Sequence, residues 1–268
     1  RDERGLEYIW GGDPAYWPGR NPLLFPIVGM LKEGKIRFDG REYAMERHGF
    51  ARRREFTPAA RGEDWVRLEL RESAETLALY PYSFRLAVEQ RLTDTGFSTA
   101  VTVANPGEGP LPFCLGAHTG FRCPLEAGER FEDYELVFPE RESCPTLLLR
   151  DGLLDRPAAL PCLEDTDTLP LDYHWFDALD TLIFEGLRSR SVTLRSRKSG
   201  RGVRVSFDGF PMLAFWTMPG KKAPYLCIEP WHGCSAGTGE GEEFTSKAHC
   251  IVLAPGESRT LAYRADTL

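Results

Sequence analysis

The chain has 268 residues, of which 42% are hydrophobic and 27% charged, and its formal net charge is −7. This length permits one large domain or two small ones with a substantial core. The acidic balance argues against a nucleic-acid partner and against docking on an anionic membrane. No apolar run approaches the roughly 20 residues that a membrane-spanning helix needs.

The seven cysteines are odd in number and form no CxxC pair. This favours free thiols in a reducing, cytoplasmic compartment over a zinc site or a disulfide framework. The first residue is Arg1 rather than Met, and no signal-like apolar segment follows it. We therefore expect that part of the natural N-terminus lies upstream of this sequence.

Strand patterns dominate the chain, because apolar and polar residues repeatedly alternate with a period of two. In chain order, strands are predicted at Val66–Leu70, Phe84–Glu89, Thr99–Val103, Ser191–Arg195, Val203–Phe207, Leu213–Thr217, Leu226–Glu229 and Ile251–Leu253. A short helix is predicted around Pro170–Leu179. Turn pairs such as Asp39-Gly40 separate the strands. Since no linker interrupts this composition, we predict one all-β domain over residues 1–268, a large antiparallel sandwich with few or no helices.

Two residues attract attention as an acid and a base. His118 follows the apolar run Leu111–Ala117 between two glycines, which let a ligand approach closely. The alternative is a strand-end histidine bonded to a backbone carbonyl. Glu229 ends the apolar run Tyr225–Ile228 and precedes Pro230, so its pKa is a candidate for being raised, as a general base requires. The alternative is a glutamate turned to solvent.

Other polar side chains interrupt strand-like or turn-like sequence. His48 lies in a glycine-containing segment followed by Arg52, and Arg20 offers a fixed fork of donors. Asp180 precedes the strand-like run Thr181–Phe184 and is by itself equally typical of a turn. Aromatic residues that offer a sugar an apolar platform are Trp10, Trp17, Phe121, Trp175 and Trp231, although most aromatics are expected in the core.

Together these segments resemble the aldose 1-epimerase (galactose mutarotase) superfamily, most closely its LacX-like branch. The matching segments, in order, are Tyr8-Ile9-Trp10 with Gly12-Asp13, Gly19-Arg20 to Phe25-Pro26, His48 to Arg52, Gly116-Ala117-His118, Asp180 with Leu182-Ile183-Phe184, Ser189 to Val192, and Ile228-Glu229-Pro230-Trp231. Each motif is weak alone, but the ordered set is specific.

The resemblance implies a β-supersandwich that binds a sugar in a concave face and interconverts its α and β anomers. It implies His118 as catalytic acid and Glu229 as catalytic base. It also implies that Arg20, His48 and Asp180 hold the sugar, with Arg52 near the pocket. We expect a small sugar as the only partner, a monomer or homodimer, and no cofactor or metal, because ring opening needs one acid and one base.

The chain departs from the family pattern in three places. Thr119 stands where proline is usual, and Cys234 lies in a segment that often reads Gly-Ile-Ala; both changes are expected at the pocket rim. The usual extra N-terminal strands are also expected to be truncated. Three alternatives stay open: a non-catalytic sugar-binding or sensor domain, a hexose-6-phosphate mutarotase using Arg20, Arg52 and Arg53, and a metal-dependent enzyme using His48, His118 and Glu229.

Overall fold

The computed structural model describes residues 2–268 of the chain, apart from the side chain of Pro157. Within this range the strands are β1 (Leu23–Leu24), β2 (Lys35–Phe38), β3 (Arg41–Ala44), β4 (Thr57–Arg61), β5 (Trp65–Arg71), β6 (Arg85–Thr93), β7 (Gly96–Ala104), β8 (Leu111–Phe113), β9 (Leu115–Ala117), β10 (Thr119–Arg122), β11 (Tyr134–Arg150), β12 (Leu153–Pro170), β13 (Thr181–Glu185), β14 (Ser191–Ser196), β15 (Gly202–Ser206), β16 (Met212–Trp216), β17 (Tyr225–His232), β18 (Ile251–Leu253) and β19 (Ser258–Thr267). The α-helices are α1 (Ala74–Leu77) and α2 (Tyr173–Leu179), and 3-10 turns lie at Lys32–Gly34, Ala51–Arg53, Phe131–Asp133 and Phe244–Ser246.

Fifteen of these strands form one antiparallel sheet. Its order is β1-β9-β17-β16-β13-β11-β14-β15-β19-β7-β6-β5-β4, with β10 also paired to β17 and β12 to β11. Two small sheets, β2-β3 and β8-β18, lie beside it. Because a sheet of so many strands twists and curls, its apolar faces meet, and one buried cluster draws on residues from Tyr8 to Ala265.

The structure confirms the prediction of an all-β antiparallel sandwich. Each of the predicted strands overlaps an observed one, and the predicted short helix corresponds to α2. That helix begins later than predicted because Pro170 still belongs to β12. The side chain of Asp172 then caps α2 by accepting from the backbone N–H of His174 at 2.8 Å. No helix among residues 2–268 is both long and apolar enough to cross a membrane.

The sequence patterns missed the long hairpin of β11 and β12. These strands have 17 and 18 residues, and their pairing shifts register between Val137 and Leu149. Bulges at such shifts break the period-two pattern. Prolines within the hairpin also argue locally against a strand. All seven cysteines are free thiols, as predicted, and all but Cys162 and Cys250 are buried.

Candidate active site

The site is organised around a break between β9 and β10. Both strands pair with β17, and the pairs that flank the break are Gly116 opposite Trp231 and Thr119 opposite Ile228. This register places His118 opposite Glu229, and directly opposed residues point to the same face of a sheet. Pro230 follows Glu229 and has no N–H to continue the ladder there. The sequence Glu-Pro therefore supplies both the side chain and a local cause for the break.

The imidazole and the carboxyl group touch. His118 Nε2 lies 3.3 Å from Glu229 Oε1, and the Trp231 indole N–H donates to Glu229 Oε2 at 3.2 Å. His118 is 9% exposed and Glu229 is 1% exposed. The sequence interpretation expected the two groups to face each other across a hollow, whereas they lie side by side. Both side chains can therefore exchange protons with substituents of the same ligand carbon atom.

Burial governs the proton affinity of this pair. It raises the pKa of Glu229 well above its usual range; the Trp231 hydrogen bond opposes this rise and the charge of Asp180 adds to it. Burial also lowers the pKa of His118 to about 3. Near neutral pH the pair therefore holds one proton, and burial favours the carboxyl group as its holder. Transfer of this proton to the imidazole forms an imidazolium beside a carboxylate. An acid beside a base is the arrangement that proton-transfer catalysis requires.

His48 faces the His118 ring edge-on, with 5.8 Å between ring centroids and an interplanar angle of 87°. Its backbone N–H donates to the Gly29 carbonyl at 2.8 Å, and its Nδ1 accepts the Gly29 N–H at 3.1 Å. Burial, followed by the charge of His118, holds the pKa of His48 well below its usual range. A neutral ring whose Nδ1 accepts carries its proton on Nε2, so His48 has a donor available for a ligand.

Asp180 terminates α2 and turns the chain into β13. Its backbone N–H bonds to the Phe176 carbonyl at 2.8 Å, and its φ of 62° ends the helix. Its carboxylate accepts from the Thr181 hydroxyl at 2.8 Å, and both residues line the cleft that holds His118 and Glu229. Because Asp180 is exposed, its carboxylate can accept further hydrogen bonds from ligand hydroxyls.

Two tryptophans form the aromatic wall of the cleft. Trp17 stacks on the His118 imidazole, with 4.9 Å between centroids and 30° between planes. Trp216 meets the same imidazole edge-on at 5.6 Å and 74°, and it meets Trp17 at 5.6 Å and 79°. Both indoles line the cleft, and an indole face that lies free there is the apolar surface that a sugar ring requires.

Arg47 and Arg52 line the same cleft. Arg52 Nη2 donates to the Arg47 carbonyl at 2.8 Å. Among residues 2–268 no carboxylate oxygen lies within 4.0 Å of either guanidinium, whereas Arg53 pairs with Glu46 at 2.7 Å. Two neighbouring unpaired cations make this part of the cleft positive in a protein whose net charge is −7.

The cleft has a volume of about 160 Å³. The structure brings together five of the predicted site residues at this cleft, namely His118, Glu229, His48, Arg52 and Asp180. It places Arg20 elsewhere. The exposed Arg20 side chain packs on the Gly11-Gly12 turn, where its Nε donates to the Gly11 carbonyl at 2.8 Å.

The two family departures also lie away from the cleft wall. The Thr119 hydroxyl donates to Asn21 Oδ1 at 2.9 Å and is buried, because Thr119 points to the face opposite His118. Cys234 is buried as well, while its neighbour Ser235 lines the cleft. The expected change at the pocket rim therefore comes from Ser235 rather than from Thr119 or Cys234.

Sequence reasoning missed Arg47 and Trp216 and left the role of Trp17 open. Trp216 ends the apolar strand β16 and is indistinguishable in sequence from a core residue. Arg47 adjoins His48, but nothing local separates it from the surface residues Arg53 and Arg54. Of the other aromatic candidates, Trp10 and Phe121 are buried in the core, as expected of most aromatics.

One group in the described part of the chain has metal-ligating side chains close together. His118, Cys227 and Glu229 each place one ligand atom within 4.8 Å of the others, and all three are buried. His48, which the metal-dependent alternative requires, does not belong to this group. Burial raises the pKa of the Cys227 thiol well above its usual range. The thiolate, which is the form that binds metals, is thereby disfavoured.

A family model described as aldose 1-epimerase matches residues 1–265. The plasmid-encoded protein LacX of Lactococcus lactis subsp. lactis is 40% identical over 271 residues, covering 98% of this chain and 90% of its own.

Two solved structures share the fold. A galactose mutarotase related enzyme from Lactobacillus acidophilus has a TM-score of 0.92 and 28% identity, covering 97% of this chain and 87% of its own. A galactose mutarotase-like protein from Lactobacillus casei has a TM-score of 0.87 and 29% identity, covering 97% and 89%. The chain therefore belongs to the aldose 1-epimerase family, and this membership supports a function as a carbohydrate epimerase.

Proposed function

We propose that this protein is an aldose 1-epimerase, a mutarotase that interconverts the α and β anomers of an aldose. The observation that carries the proposal is the buried contact between His118 and Glu229 at the base of an aromatic, polar-lined cleft. A hemiacetal carbon bears both O1 and the ring oxygen O5. An acid and a base that lie side by side can therefore reach both oxygens of one sugar.

The reaction follows from the proton that this pair shares. Ionised Glu229 removes the proton from the O1 hydroxyl while protonated His118 donates to O5, and the C1–O5 bond breaks. The resulting aldehyde turns by half a rotation about C1–C2. The ring then closes on the other carbonyl face. The O5 hydroxyl returns its proton to His118 and Glu229 gives its proton to O1, so both groups regain their starting states. General acid–base catalysis contributes roughly 10²–10⁴-fold per group.

The remaining groups suit a polyhydroxylated ligand. Neutral His48 donates through Nε2, and exposed Asp180 accepts. Together they can bind one sugar hydroxyl that accepts a hydrogen bond and another that donates one. Trp216 gives the ring an apolar surface. Holding the ring in one orientation adds to the rate beyond what proton transfer supplies.

Saturation-transfer NMR on equilibrated glucose and galactose tests this proposal. We expect the purified protein to increase exchange between the C1 proton signals of the two anomers, without changing their equilibrium ratio. Binding of a sugar without faster exchange would instead favour the sensor alternative. Neither binding nor exchange with any aldose of a broad panel would refute both.

The unpaired arginines support a second candidate, a mutarotase for sugars that carry an anionic group such as a phosphate. Arg47 and Arg52 lack carboxylate partners among the described residues and line the cleft that holds the catalytic pair. Arginine matches phosphate geometry through its fixed fork of donors. Arg47 takes the place that the sequence interpretation gave to Arg20 and Arg53.

Comparing glucose with glucose 6-phosphate separates the two candidates. If the anionic sugar is preferred, its KM is lower, and Arg47→Gln raises the KM for the phosphate ester but not for glucose. Arg53→Gln, which removes a neighbouring arginine already paired with Glu46, is the matched control. Equal KM values for the two sugars would remove this second candidate.

A further inference from the structure

The proposed reaction leaves the position of Trp17 without a purpose. Its indole stacks on one face of the His118 imidazole, with 4.9 Å between centroids and 30° between planes. A sugar platform needs a free indole face, whereas this face of Trp17 is occupied by a catalytic ring. Its place over His118 therefore points to a task other than contact with the sugar.

The chain holds Trp17 firmly in this position. Its backbone N–H donates to the Asp13 carbonyl at 2.9 Å, and its carbonyl accepts the indole N–H of Trp10 at 2.8 Å. Two glycines leave room for the indole: a Cβ on Gly19 would lie 2.4 Å from Trp17 Cζ2, and one on Gly120 would lie 3.0 Å from Cζ3. Larger residues at these positions would push the indole away from His118.

The protonated form of His118 needs support in its buried setting. The charged or titratable groups that face it are Glu229 and Cys227 from β17, His48 and Arg52 from the loop before β4, and Asp180 from the end of α2. An ionised Glu229 at 3.3 Å favours the imidazolium, whereas Arg52 disfavours it. The face of an indole carries negative electrostatic potential and attracts a cation placed over it.

We propose that Trp17 is a positioning residue that holds the His118 ring beside Glu229 and favours its protonated form through the indole face. Trp231 favours the ionised form of Glu229, since its indole N–H donates to the Glu229 carboxylate. The two tryptophans thus favour the proton arrangement, imidazolium beside carboxylate, that ring opening in the proposed direction requires. This inference rests on the proposed function for its catalytic consequence, but the protonation of His118 can be measured without activity.

The test compares Trp17→Leu, which removes the aromatic face, with Trp17→Phe, which keeps one. Proteins labelled with ¹⁵N-histidine report the imidazolium fraction of each ring as the pH is lowered from 7 towards 3, and His118→Asn assigns the His118 signals. We expect Trp17→Leu to shift these signals towards the neutral tautomers and to lower the anomer-exchange rate about 2- to 30-fold. Trp17→Phe restores most of both quantities.

Trp65→Leu is the matched control, because Trp65 also carries cations over its ring, Arg67 at 5.7 Å and Arg91 at 5.4 Å, but lies on β5 away from the cleft. It should leave the His118 signals and the exchange rate unchanged. Unchanged His118 signals in Trp17→Leu would overturn the inference, whatever its rate, and so would failure of Trp17→Phe to restore the signals. A wild-type protein without any exchange activity would overturn the proposed function instead, while the ¹⁵N comparison still decides the role of Trp17.

Discussion

Two pairs of directly opposed charged residues occupy two very different parts of this molecule. On the outer sheet, defined as β4 to β7 with β19, Arg67 lies opposite Glu89, and their side chains form an ion pair at 2.7 Å that is open to water. On the inner ribbon, defined as β9, β10 and β17, His118 lies opposite Glu229 at 3.3 Å, and both side chains are buried.

The same cross-strand geometry thus serves two purposes. The outer pair covers a half-buried strand, where solvent screens charge and such pairs contribute little. In the inner pair, Glu229 lies on β17, which is buried on both faces through most of its length. Burial there makes each charge costly, so near neutral pH the pair holds one proton. The cross-strand register is the same in both pairs. Burial, together with a titratable histidine in place of an arginine, suits the inner pair to proton transfer.

The largest expected effect is the loss of activity when the acid or the base of the inner pair is removed. Glu229→Gln keeps the shape of the side chain but removes the base, so the anomer-exchange rate should fall by about 10²–10⁴-fold. His118→Asn should cause a loss of similar size, and the double variant should lose little more, because the two groups act as a unit. Saturation-transfer NMR measures all three rates. Near-normal exchange in both single variants would end the assignment.

The pH dependence of the inner pair sharpens the contrast further. A second proton enters the pair only when the pH approaches the lowered pKa of His118, about 3. The activity should therefore hold nearly constant from pH 7 down to pH 5 and fall at alkaline pH, where the shared proton is lost. Rates of anomer exchange across this range, corrected for the uncatalysed reaction, test this. A steep acid limb near pH 6.5, the ordinary value for histidine, would contradict it.

Backbone strain offers a way to break the inner region without touching its acid or base. Gly49 has a φ of 68°, and an added Cβ would lie 2.2 Å from the Phe25 carbonyl oxygen. Gly49→Ala should destabilise the protein by about 1–3 kcal/mol and weaken sugar binding by displacing His48. Gly40→Ala is the control, since Gly40 has a similar φ of 74° but open space around it. Urea denaturation and sugar titration should show the larger effect at position 49.

The buried carboxyl group of Glu229 should lower the free energy of unfolding as the pH rises. The folded pKa of Glu229 is raised, so its contribution is favourable at low pH and is lost as the pH climbs from about 4.5 through the folded value. A tenfold difference in proton affinity between the folded and unfolded chains corresponds to about 1.4 kcal/mol of stability. Glu229→Gln does not titrate, and its Tm should rise relative to wild type between pH 5 and 9.

His118→Asn should show the opposite pH trend in Tm: its Tm should rise relative to wild type as the pH falls from about 6.5 towards 3. Because the folded pKa of His118 is lowered, wild type gains its contribution above about pH 6.5 and loses it as the pH falls towards 3. A constant Tm difference between Glu229→Gln and wild type across the pH range would show that the carboxyl group is not buried as described.

The smallest effect belongs to the outer pair. Glu89→Gln removes the ion pair with Arg67 and should change the free energy of unfolding by at most about 1 kcal/mol. The loss should shrink further in high salt, which screens exposed charges. Anomer exchange should match wild type. A loss of activity in Glu89→Gln would mean that the two regions are coupled in a way that their separation in the sheet does not suggest.

The outer sheet was readable from the sequence because its strands are wet on one face, and Val66–Leu70 shows the alternation that this produces. The inner ribbon lacks such alternation, since both faces of β17 are buried. The useful signal in this ribbon was Glu229, which lies between Ile228 and Pro230 in a segment whose sequence shows no polar, solvent-exposed face. The hairpin of β11 and β12 escaped detection because its bulges break the period.

The sequence by itself determined the all-β class, the positions of most strands and, through the ordered motifs, the identity of His118 and Glu229 as the candidates for acid and base. Only the tertiary structure decided that these two side chains touch, that Arg47 rather than Arg20 reaches the cleft, and that Trp17 lies over the imidazole. The physical reason is that strand periodicity is a local property of the chain. Contacts between distant residues depend on sheet register and loop paths, which no local pattern records.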